Sequence, residues 1–143
     1  MQITYGQTLP EDAGRIYGLC RETVEKYEDP ASVDLAKVLA WLENKIRKNV
    51  TEYTRIFLDG ELCGYYRVCR EGEEYELDDF YLFEEYRGRG IGTRVLDHIL
   101  EDEDADFFLY VFKRNTPALK LYQKYGFNVR EDLGSRYIME RRR

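Results

Sequence analysis

Hydrophobic residues recur at three- and four-residue spacing in the first third of the chain. One stripe consists of Ala13, Ile16, Tyr17, Cys20, Val24 and Tyr27, and a second of Leu35, Val38, Leu39, Leu42 and Ile46. This spacing places apolar side chains on one face of a helix. After a short strand around residues 3–5, we therefore expect two amphipathic helices, the second over about residues 32–48. Thr8 and Glu11 have capping-box spacing, which predicts that the first helix begins there.

From Tyr53 onward the hydrophobic period changes to two, which is typical of strands. Asp59 and Gly60 separate two alternating segments and tolerate the positive φ angles of a type I′ turn, so the pattern predicts a hairpin. A further strand is expected over residues 75–83. Within it Leu77 and Phe80 are three residues apart. Because apolar residues on one face need even spacing, this break predicts a β-bulge near Asp78-Asp79, the alternative being a regular strand with a polar outer face.

Three glycines at alternate positions, Gly88, Gly90 and Gly92, join that strand to an amphipathic helix. Without β-carbons, successive N–H groups can turn toward one anion, and the helix adds the positive end of its dipole. The segment predicts a phosphate or pyrophosphate cradle, with a bare turn as the alternative. Thr93 and Arg94 follow the glycines, which does not fit a Walker A loop, and neither glycine frame fits a dinucleotide fingerprint.

The rest of the chain predicts a crossover followed by a small antiparallel closure. Residues 107–112 form a continuous apolar run, which favours a buried strand parallel to the one before the glycines. The helix before this run is expected to end in the acidic residues 101–104. Asn115 begins a further helix that Gly126 ends, and residues 127–130 and 136–139 are expected to be two closing strands.

Composition narrows the class of protein. The chain has 143 residues, 43% of them hydrophobic, which suits one domain, and a formal net charge of −6 with a pI near 5.0. Acidic and basic residues are interleaved, so no broad basic face is expected for nucleic acid. The chain lacks a membrane span and a signal-peptide pattern, which favours the cytoplasm. Cys20, Cys63 and Cys69 are expected to be buried free thiols, and with His98 alone beside them they are too few for a metal site.

Two motifs in order resemble the GNAT superfamily of acyl-CoA-dependent N-acetyltransferases. Arg87, Gly90 and Gly92 match its signature of Arg or Gln, two residues, Gly, one residue, and Gly or Ala. Its second segment is matched at every family letter, by Asn115, Ala118, Tyr122, Gly126 and Phe127. The resemblance covers the second half of the chain well and the first half only in the order of its elements.

The resemblance implies an α/β fold, called α+β in some schemes, as one domain over residues 1–143. We expect a mixed central sheet of about six to seven strands, splayed at a bulged strand, with about four helices. The implied activity is transfer of an acetyl group from acetyl-CoA to a primary amine of a small molecule or peptide, in a ternary complex and without a metal. The chain is expected to act as a monomer or a homodimer. The rival interpretations are a non-catalytic acyl-CoA-binding or sensing domain and a phosphate-binding protein of another class, such as a nucleotide-binding module.

The same resemblance implies roles for individual residues. The acetyl-CoA contacts are expected from Phe80, Tyr81, Leu82, Arg87, Gly88, Arg89, Gly90, Ile91, Gly92, Thr93, Asn115 and Tyr122. Arg94 is a further candidate for charge at the pyrophosphate. A backbone N–H near Phe80 would hold the oxyanion, and Tyr122, unless it is a core aromatic, would protonate the thiolate. Glu76, eleven residues before Arg87, is the candidate base. Asp78, Asp79 and water are alternatives to Glu76.

Acidic residues cluster along the bulged strand, at Glu73, Glu74, Glu76, Asp78 and Asp79. Such a cluster favours the approach of an ammonium group, which agrees with an amine acceptor. No motif in the first two helices or the hairpin identifies which amine it is.

Overall fold

The computed structural model describes residues 1–101 and 104–143. Its strands are β1 Ile3–Gln7, β2 Thr54–Leu58, β3 Glu61–Glu71, β4 Glu74–Leu82, β5 Asp106–Phe112, β6 Asn128–Asp132 and β7 Arg136–Arg141. Its helices are α1 Ala13–Tyr27, α2 Leu35–Asn49, α3 Ile91–Ile99 and α4 Thr116–Lys124, with short 3-10 helices at Pro10–Asp12, Val50–Glu52 and Glu84–Tyr86. The strands form one seven-stranded sheet in the order β1-β2-β3-β4-β5-β7-β6. The predicted mixed sheet with four helices is confirmed.

The apolar stripes predicted for the first two helices face the sheet. Ile16 and Val24 of α1 and Ile46 of α2 are buried in one cluster with Tyr65 of β3. A second cluster contains Leu96 of α3 and Tyr122 of α4, together with strand residues such as Leu77 and Leu109. Burial of these side chains is the main favourable contribution to folding.

The start of the first helix differs from the capping-box prediction. The Thr8 hydroxyl donates to the carbonyls of Val50 and Tyr53 instead of capping the helix. Leu9 is the N-cap instead, and Asp12, three residues later, accepts from the N–H of Leu9 through its carboxylate at 2.8 Å. The fully buried Asp12 also pairs with Arg55 at 2.7 Å, and these bonds connect the helix start to β2. The sequence prediction was wrong because Thr8 found tertiary acceptors.

The turn between β2 and β3 has the predicted positive φ angles, 49° at Asp59 and 85° at Gly60. The predicted bulge lies in β4. Arg67 of β3 pairs with Asp79, but the next residue, Val68, pairs with Leu77, so Asp78 is the extra residue. A bulge bends the strand that contains it and increases its twist.

The bulge coincides with a gap in the sheet. β4 and β5 are parallel, as predicted, but they pair only at Glu74 with Asp106, Tyr75 with Phe107 and Glu76 with Phe108. Beyond Glu76 the two strands separate, and the edge of β4 from Leu77 to Leu82 has no β5 partner. The crossover from β4 to β5 runs through α3. Two residues of the predicted acidic end of that helix, Asp102 and Glu103, lie outside the described residues.

No helix within residues 1–101 and 104–143 is long and apolar enough to cross a membrane. The three cysteines are free thiols, and Cys20 and Cys63 are buried as predicted, whereas Cys69 is half-buried.

Candidate active site

The glycine loop forms a cradle of free backbone N–H groups. Gly88 and Gly90 have φ angles of 72° and 80°, which residues with a β-carbon rarely adopt, and Gly90 is the N-cap of α3. Within the described part of the chain, the N–H groups of Gly88, Arg89 and Gly90 have no hydrogen-bond acceptor. The N–H groups in the first turn of a helix have no acceptor within the helix either. Residues 88–93 therefore present a run of donors suited to a phosphate or pyrophosphate.

A cleft of about 570 Å³ opens over this cradle, and we call it the cradle cleft. Its lining residues are Glu22, Thr23, Lys26, Tyr27, Phe80, Tyr81, Leu82, Arg87, Gly88, Gly90, Gly92, Thr93, Asn115, Pro117, Ala118 and Leu121. Most of the residues expected to contact acetyl-CoA are in this set. The cleft thus extends from the glycines along the unpaired edge of β4.

Arg87 has a more constrained position than the sequence suggested. Its guanidinium donates to the carbonyl of Leu82 at 3.0 Å and to the carboxylate of Glu22 at 2.8 Å. Arg89, also expected at the pyrophosphate, lies over the ring of Tyr86 at 5.6 Å. The Arg87 side chain therefore connects the end of β4 to α1. Its ion pair also places the Glu22 carboxylate beside the cradle.

The end of β4 forms the floor between the cradle and the gap in the sheet. A β-carbon placed on Gly92 would lie 3.8 Å from the ring of Phe80, so this ring packs at the start of α3. Tyr81 points to the opposite face, where its hydroxyl donates to Asp79 at 2.9 Å. Phe80, Tyr81 and Leu82 all line the cradle cleft.

A second cleft, of about 1380 Å³, lies on the other side of the gap, and we call it the acceptor cleft. It is lined by residues from α1, α2, β3, β4, β5, α4 and β7. Among them are Trp41, Lys45, Arg67, Cys69, Glu76, Asp78, Asp79, Tyr110, Asn115, Tyr122 and Arg136. Both clefts share Thr23, Phe80, Tyr81, Asn115 and Ala118. The two clefts therefore meet at the splayed part of β4.

Glu76 is the last β4 residue paired with β5, and its carboxylate lines the acceptor cleft. The thiol of Cys69 on β3 lies 4.0 Å from its Oε1 atom. Burial raises the pKa of Glu76 to about 7, repulsion from Asp78 adds to the rise, and Lys45 opposes it. A carboxylate that titrates near neutral pH can both take and release a proton in this range.

The rival carboxylates at the bulge already have partners. Asp78 accepts from Lys45 through one oxygen and from Arg67 through the other, each at 2.7 Å. Asp79 accepts from the hydroxyls of Tyr53 and Tyr81, so its partners are phenols and not the bulge amides. Glu76 is thus the carboxylate of this strand segment least engaged by other side chains.

The predicted acidic cluster along β4 is therefore wrong as a single ammonium-attracting surface. Glu74 pairs with Arg130 at 3.0 Å and with Arg142 at 3.1 Å and does not line the acceptor cleft. The charge of Asp78 is balanced by two cations. Ion pairing with residues from distant parts of the chain therefore separates carboxylates that are close together in sequence.

Asn115 lines both clefts, and Tyr122, seven residues later, lines the acceptor cleft. Tyr122 is buried and its ring packs edge-on against Phe127 at 5.7 Å. Burial raises the pKa of its phenol, and the charge of Asp79 adds to the rise, so Tyr122 is protonated at neutral pH. Asn115 is the N-cap of α4, because its side-chain oxygen accepts from the N–H of Ala118 at 3.3 Å. Its amide NH₂ group is left to face the clefts.

Several side chains around these clefts were missed by sequence reasoning. Glu22 and Lys45 reach their partners from helices that carry no diagnostic motif. Tyr125 was assigned only to an apolar stripe, yet its hydroxyl lies 2.8 Å from the carbonyl of Thr93 and 2.7 Å from Asp97, which fixes α4 against α3. No metal-ligand cluster of three or more His, Cys, Asp or Glu side chains occurs among the residues described.

Similarity to known proteins agrees with this geometry. The profile of one family, the acetyltransferase (GNAT) family, matches residues 15–127. The chain is 28% identical over 91 residues to the spermine/spermidine N(1)-acetyltransferase of Bacillus subtilis, covering 54% of this chain and 60% of that protein. It is 31% identical over 90 residues to the spermidine N(1)-acetyltransferase of Thermoplasma acidophilum, covering 60% of this chain and 56% of that protein. The chain thus spans less than two thirds of either relative.

Solved structures show the same fold. The PaiA N-acetyltransferase of Thermoplasma acidophilum, solved in complex with coenzyme A, is similar to this chain with a TM-score of 0.74 and 22% identity, and the similarity covers 100% of both chains. A structure from Staphylococcus aureus, also an N-acetyltransferase, gives a TM-score of 0.73 at 20% identity and covers 96% of this chain and 99% of that one.

Proposed function

The chain belongs to the GNAT acetyltransferase family, and on this premise we propose that it transfers an acetyl group from acetyl-CoA to a primary amine. The acceptor is a small molecule or a peptide amine that attacks the thioester directly in a ternary complex. The two curated relatives are named for polyamines, which are primary amines, and this supports the acceptor class. A cytoplasmic location and a monomeric or homodimeric state stay predictions from the sequence.

The observation that carries the proposal is the meeting of the two clefts at the splayed strand. One cleft presents free N–H groups for a pyrophosphate, and the other presents a titratable carboxylate, Glu76. A thioester bound from the cradle side and an amine entering from the acceptor side would meet near Phe80 and Asn115. Holding two reactants in this way is itself a large part of the rate enhancement.

We propose that acetyl-CoA lies with its pyrophosphate on residues 88–93 and its pantetheine arm along the edge of β4. The unpaired edge near Phe80 and Leu82 has backbone groups available to the arm's amides, apart from the Leu82 carbonyl, which accepts from Arg87. The free NH₂ group of Asn115 is placed to donate to the same arm. Together, the cradle and the end of β4 form one elongated binding surface. Such a surface suits a long ligand that has an anionic group at one end.

In the proposed reaction Glu76 removes a proton from the ammonium, directly or through water. The neutral nitrogen attacks the thioester carbon, and a backbone N–H near Phe80 stabilises the oxyanion. The C–N bond forms and the C–S bond breaks. Tyr122 donates its phenolic proton to the leaving thiolate, and the second proton lost by the attacking nitrogen returns to the phenolate through water. Its protonated state at neutral pH supports the role of acid, and the raised pKa of Glu76 supports that of base.

Calorimetric titration with acetyl-CoA, followed by thiol release on a panel of primary amines, tests the proposal. We expect binding at micromolar concentration and thiol release that depends on the amine. Absence of binding at tens of micromolar would reject the acetyl-CoA site. Binding without turnover on any amine would instead favour the non-catalytic acyl-CoA-binding alternative.

A further inference from the structure

The acceptor cleft contains a cation site that the protein fills with its own side chain. The Nζ atom of Lys45 lies 2.7 Å from Oδ1 of Asp78 and 5.8 Å from the centre of the Trp41 ring. Its side chain is 26% exposed and lines the cleft. A carboxylate combined with an indole ring is a typical binding site for an ammonium group. Lys45 therefore occupies a place where a substrate ammonium could otherwise bind.

The charge on Lys45 is held firmly. Burial opposes the charged form, but the hydrogen bond to Asp78 and the charges of Asp78, Asp79 and Glu76 outweigh it and raise the pKa of Lys45. Arg67, which is buried on β3, binds the second oxygen of Asp78 and also Glu52 at 3.2 Å. The bulge thus has two fixed cations beside it.

These cations leave few carboxylates for an incoming substrate. Asp78 is bonded through both oxygens, and Asp79 accepts from two phenols. Among the residues that the structure describes, the Cys69 thiol at 4.0 Å is the one side-chain partner of Glu76. Glu71 also lines the cleft, but it lies at the exposed end of β3. Glu28 and Glu52 line the cleft as well, but Glu28 accepts from the Ser135 hydroxyl and Glu52 pairs with Arg67. The inner end of the cleft therefore offers one weakly engaged carboxylate to one ammonium group.

We propose that Lys45 is a specificity-determining residue that makes the cleft select acceptors with a single ammonium group over diamines and polyamines. The inference rests on the proposed acetyltransferase function and names its acceptor class. A second ammonium group entering the inner cleft meets Lys45 and Arg67 where it needs a carboxylate. Like charges in a partly dry cleft repel strongly enough to discriminate between otherwise identical amines.

Butylamine and 1,4-diaminobutane are matched probes, because they share a carbon chain and differ by one ammonium group. The measurement is kcat/KM for each amine, at saturating acetyl-CoA, with the wild type and with Lys45→Met. We expect the wild type to prefer butylamine. In Lys45→Met the preference should shift toward 1,4-diaminobutane by roughly tenfold, because the Asp78 and Trp41 site becomes vacant.

Two control variants separate this role from a structural one. Lys45→Arg keeps the charge and should keep the wild-type preference. Lys48→Met removes an exposed lysine of the same helix that lies outside the cleft. It should change kcat/KM for neither amine. The proposal would be overturned if Lys45→Met changed kcat/KM equally for both amines. It would also be overturned if the wild type preferred 1,4-diaminobutane.

Binding measurements keep this test independent of turnover. Calorimetric titration of 1,4-diaminobutane into the protein loaded with coenzyme A should show roughly tenfold tighter binding by Lys45→Met than by the wild type. Equal affinities would overturn the role of Lys45 while leaving acetyl transfer intact. If neither amine is acetylated by any variant, the proposed function fails, and the binding comparison still decides whether Lys45 excludes a second cation.

Discussion

The cradle cleft and the acceptor cleft meet at the same strand but are built differently. The cradle presents backbone N–H groups, placed by the φ angles of Gly88 and Gly90 and by the start of α3. The acceptor cleft presents side chains from seven α-helices and β-strands, and most of its charges are paired with each other. A backbone site depends on local conformation, whereas a side-chain site depends on which distant residues meet. The first therefore follows from a short motif, and the second follows from the fold.

The largest expected effect is on the acceptor side, at Glu76. Glu76→Gln removes the proposed base without changing its size, so kcat should fall by about a hundredfold or more. In the wild type, kcat should rise as the pH increases through about 7, because the base acts when ionised and its pKa is raised to about 7. Thiol-release assays from pH 5.5 to 9 measure both effects.

The matched control for Glu76 is Glu73→Gln, which alters an exposed carboxylate in the turn between β3 and β4, outside both clefts. It should leave kcat and its pH dependence close to those of the wild type. Full activity in Glu76→Gln would exclude Glu76 as base and return the role to water.

On the cradle side the largest effect is expected at Gly90. Gly90→Val puts a β-branched residue at a φ of 80°, so the free protein should relieve the strain by moving the loop. Acetyl-CoA binding must then restore the cradle, and its affinity should fall by roughly fivefold to thirtyfold, given ~1–2 kcal/mol of strain. Calorimetry measures the affinity.

The control for backbone strain is Gly134→Val, which has a φ of 96° in the turn between β6 and β7, outside both clefts. It should introduce similar backbone strain and so lower the thermal stability of the protein, but it should not weaken acetyl-CoA binding. Unchanged affinity in Gly90→Val would show that the cradle does not hold the coenzyme.

The next largest effect is expected at Tyr122, the proposed proton donor to the leaving thiolate. Tyr122→Phe keeps the buried ring and its packing on Phe127, but removes the phenolic proton, so kcat should fall about tenfold. The affinity for acetyl-CoA should stay nearly unchanged, since the lost group acts on the leaving thiolate. Tyr110→Phe, an exposed phenol of the acceptor cleft, is the control. Retention of full kcat by Tyr122→Phe would assign this tyrosine to the core alone.

The smallest expected effect concerns Glu22, whose carboxylate pairs with Arg87 beside the cradle. Glu22→Gln removes a negative charge and releases Arg87, so acetyl-CoA should bind about threefold more tightly at low salt. The gain should shrink as salt is added. Glu25→Gln, which breaks an exposed pair with Arg21 on the same helix, should have no effect. Weaker binding in Glu22→Gln would mean that the ion pair holds the cradle in shape.

The period of the hydrophobic residues and the spacing of the motifs predicted most of the fold, because both are local properties of the sequence. The break between Leu77 and Phe80 located the bulge within one residue, since strand alternation allows no other arrangement of a one-sided apolar face. Asn115 was placed at the start of α4 by the same kind of local rule. The capping box at Thr8 failed because the hydroxyl found acceptors 42 and 45 residues away.

The sequence by itself determined the order of elements, the bulge, the glycine cradle and the family, because each is encoded in neighbouring residues. Only the tertiary structure decided the charge of the acceptor cleft. Lys45 and Asp78 are 33 residues apart, and Arg87 and Glu22 are 65 apart. Coulomb attraction depends on distance in space, and burial depends on the packing around a residue. No spacing along the chain could therefore show that Lys45 and Arg67 balance the charge of Asp78, whereas Glu76 titrates near neutral pH.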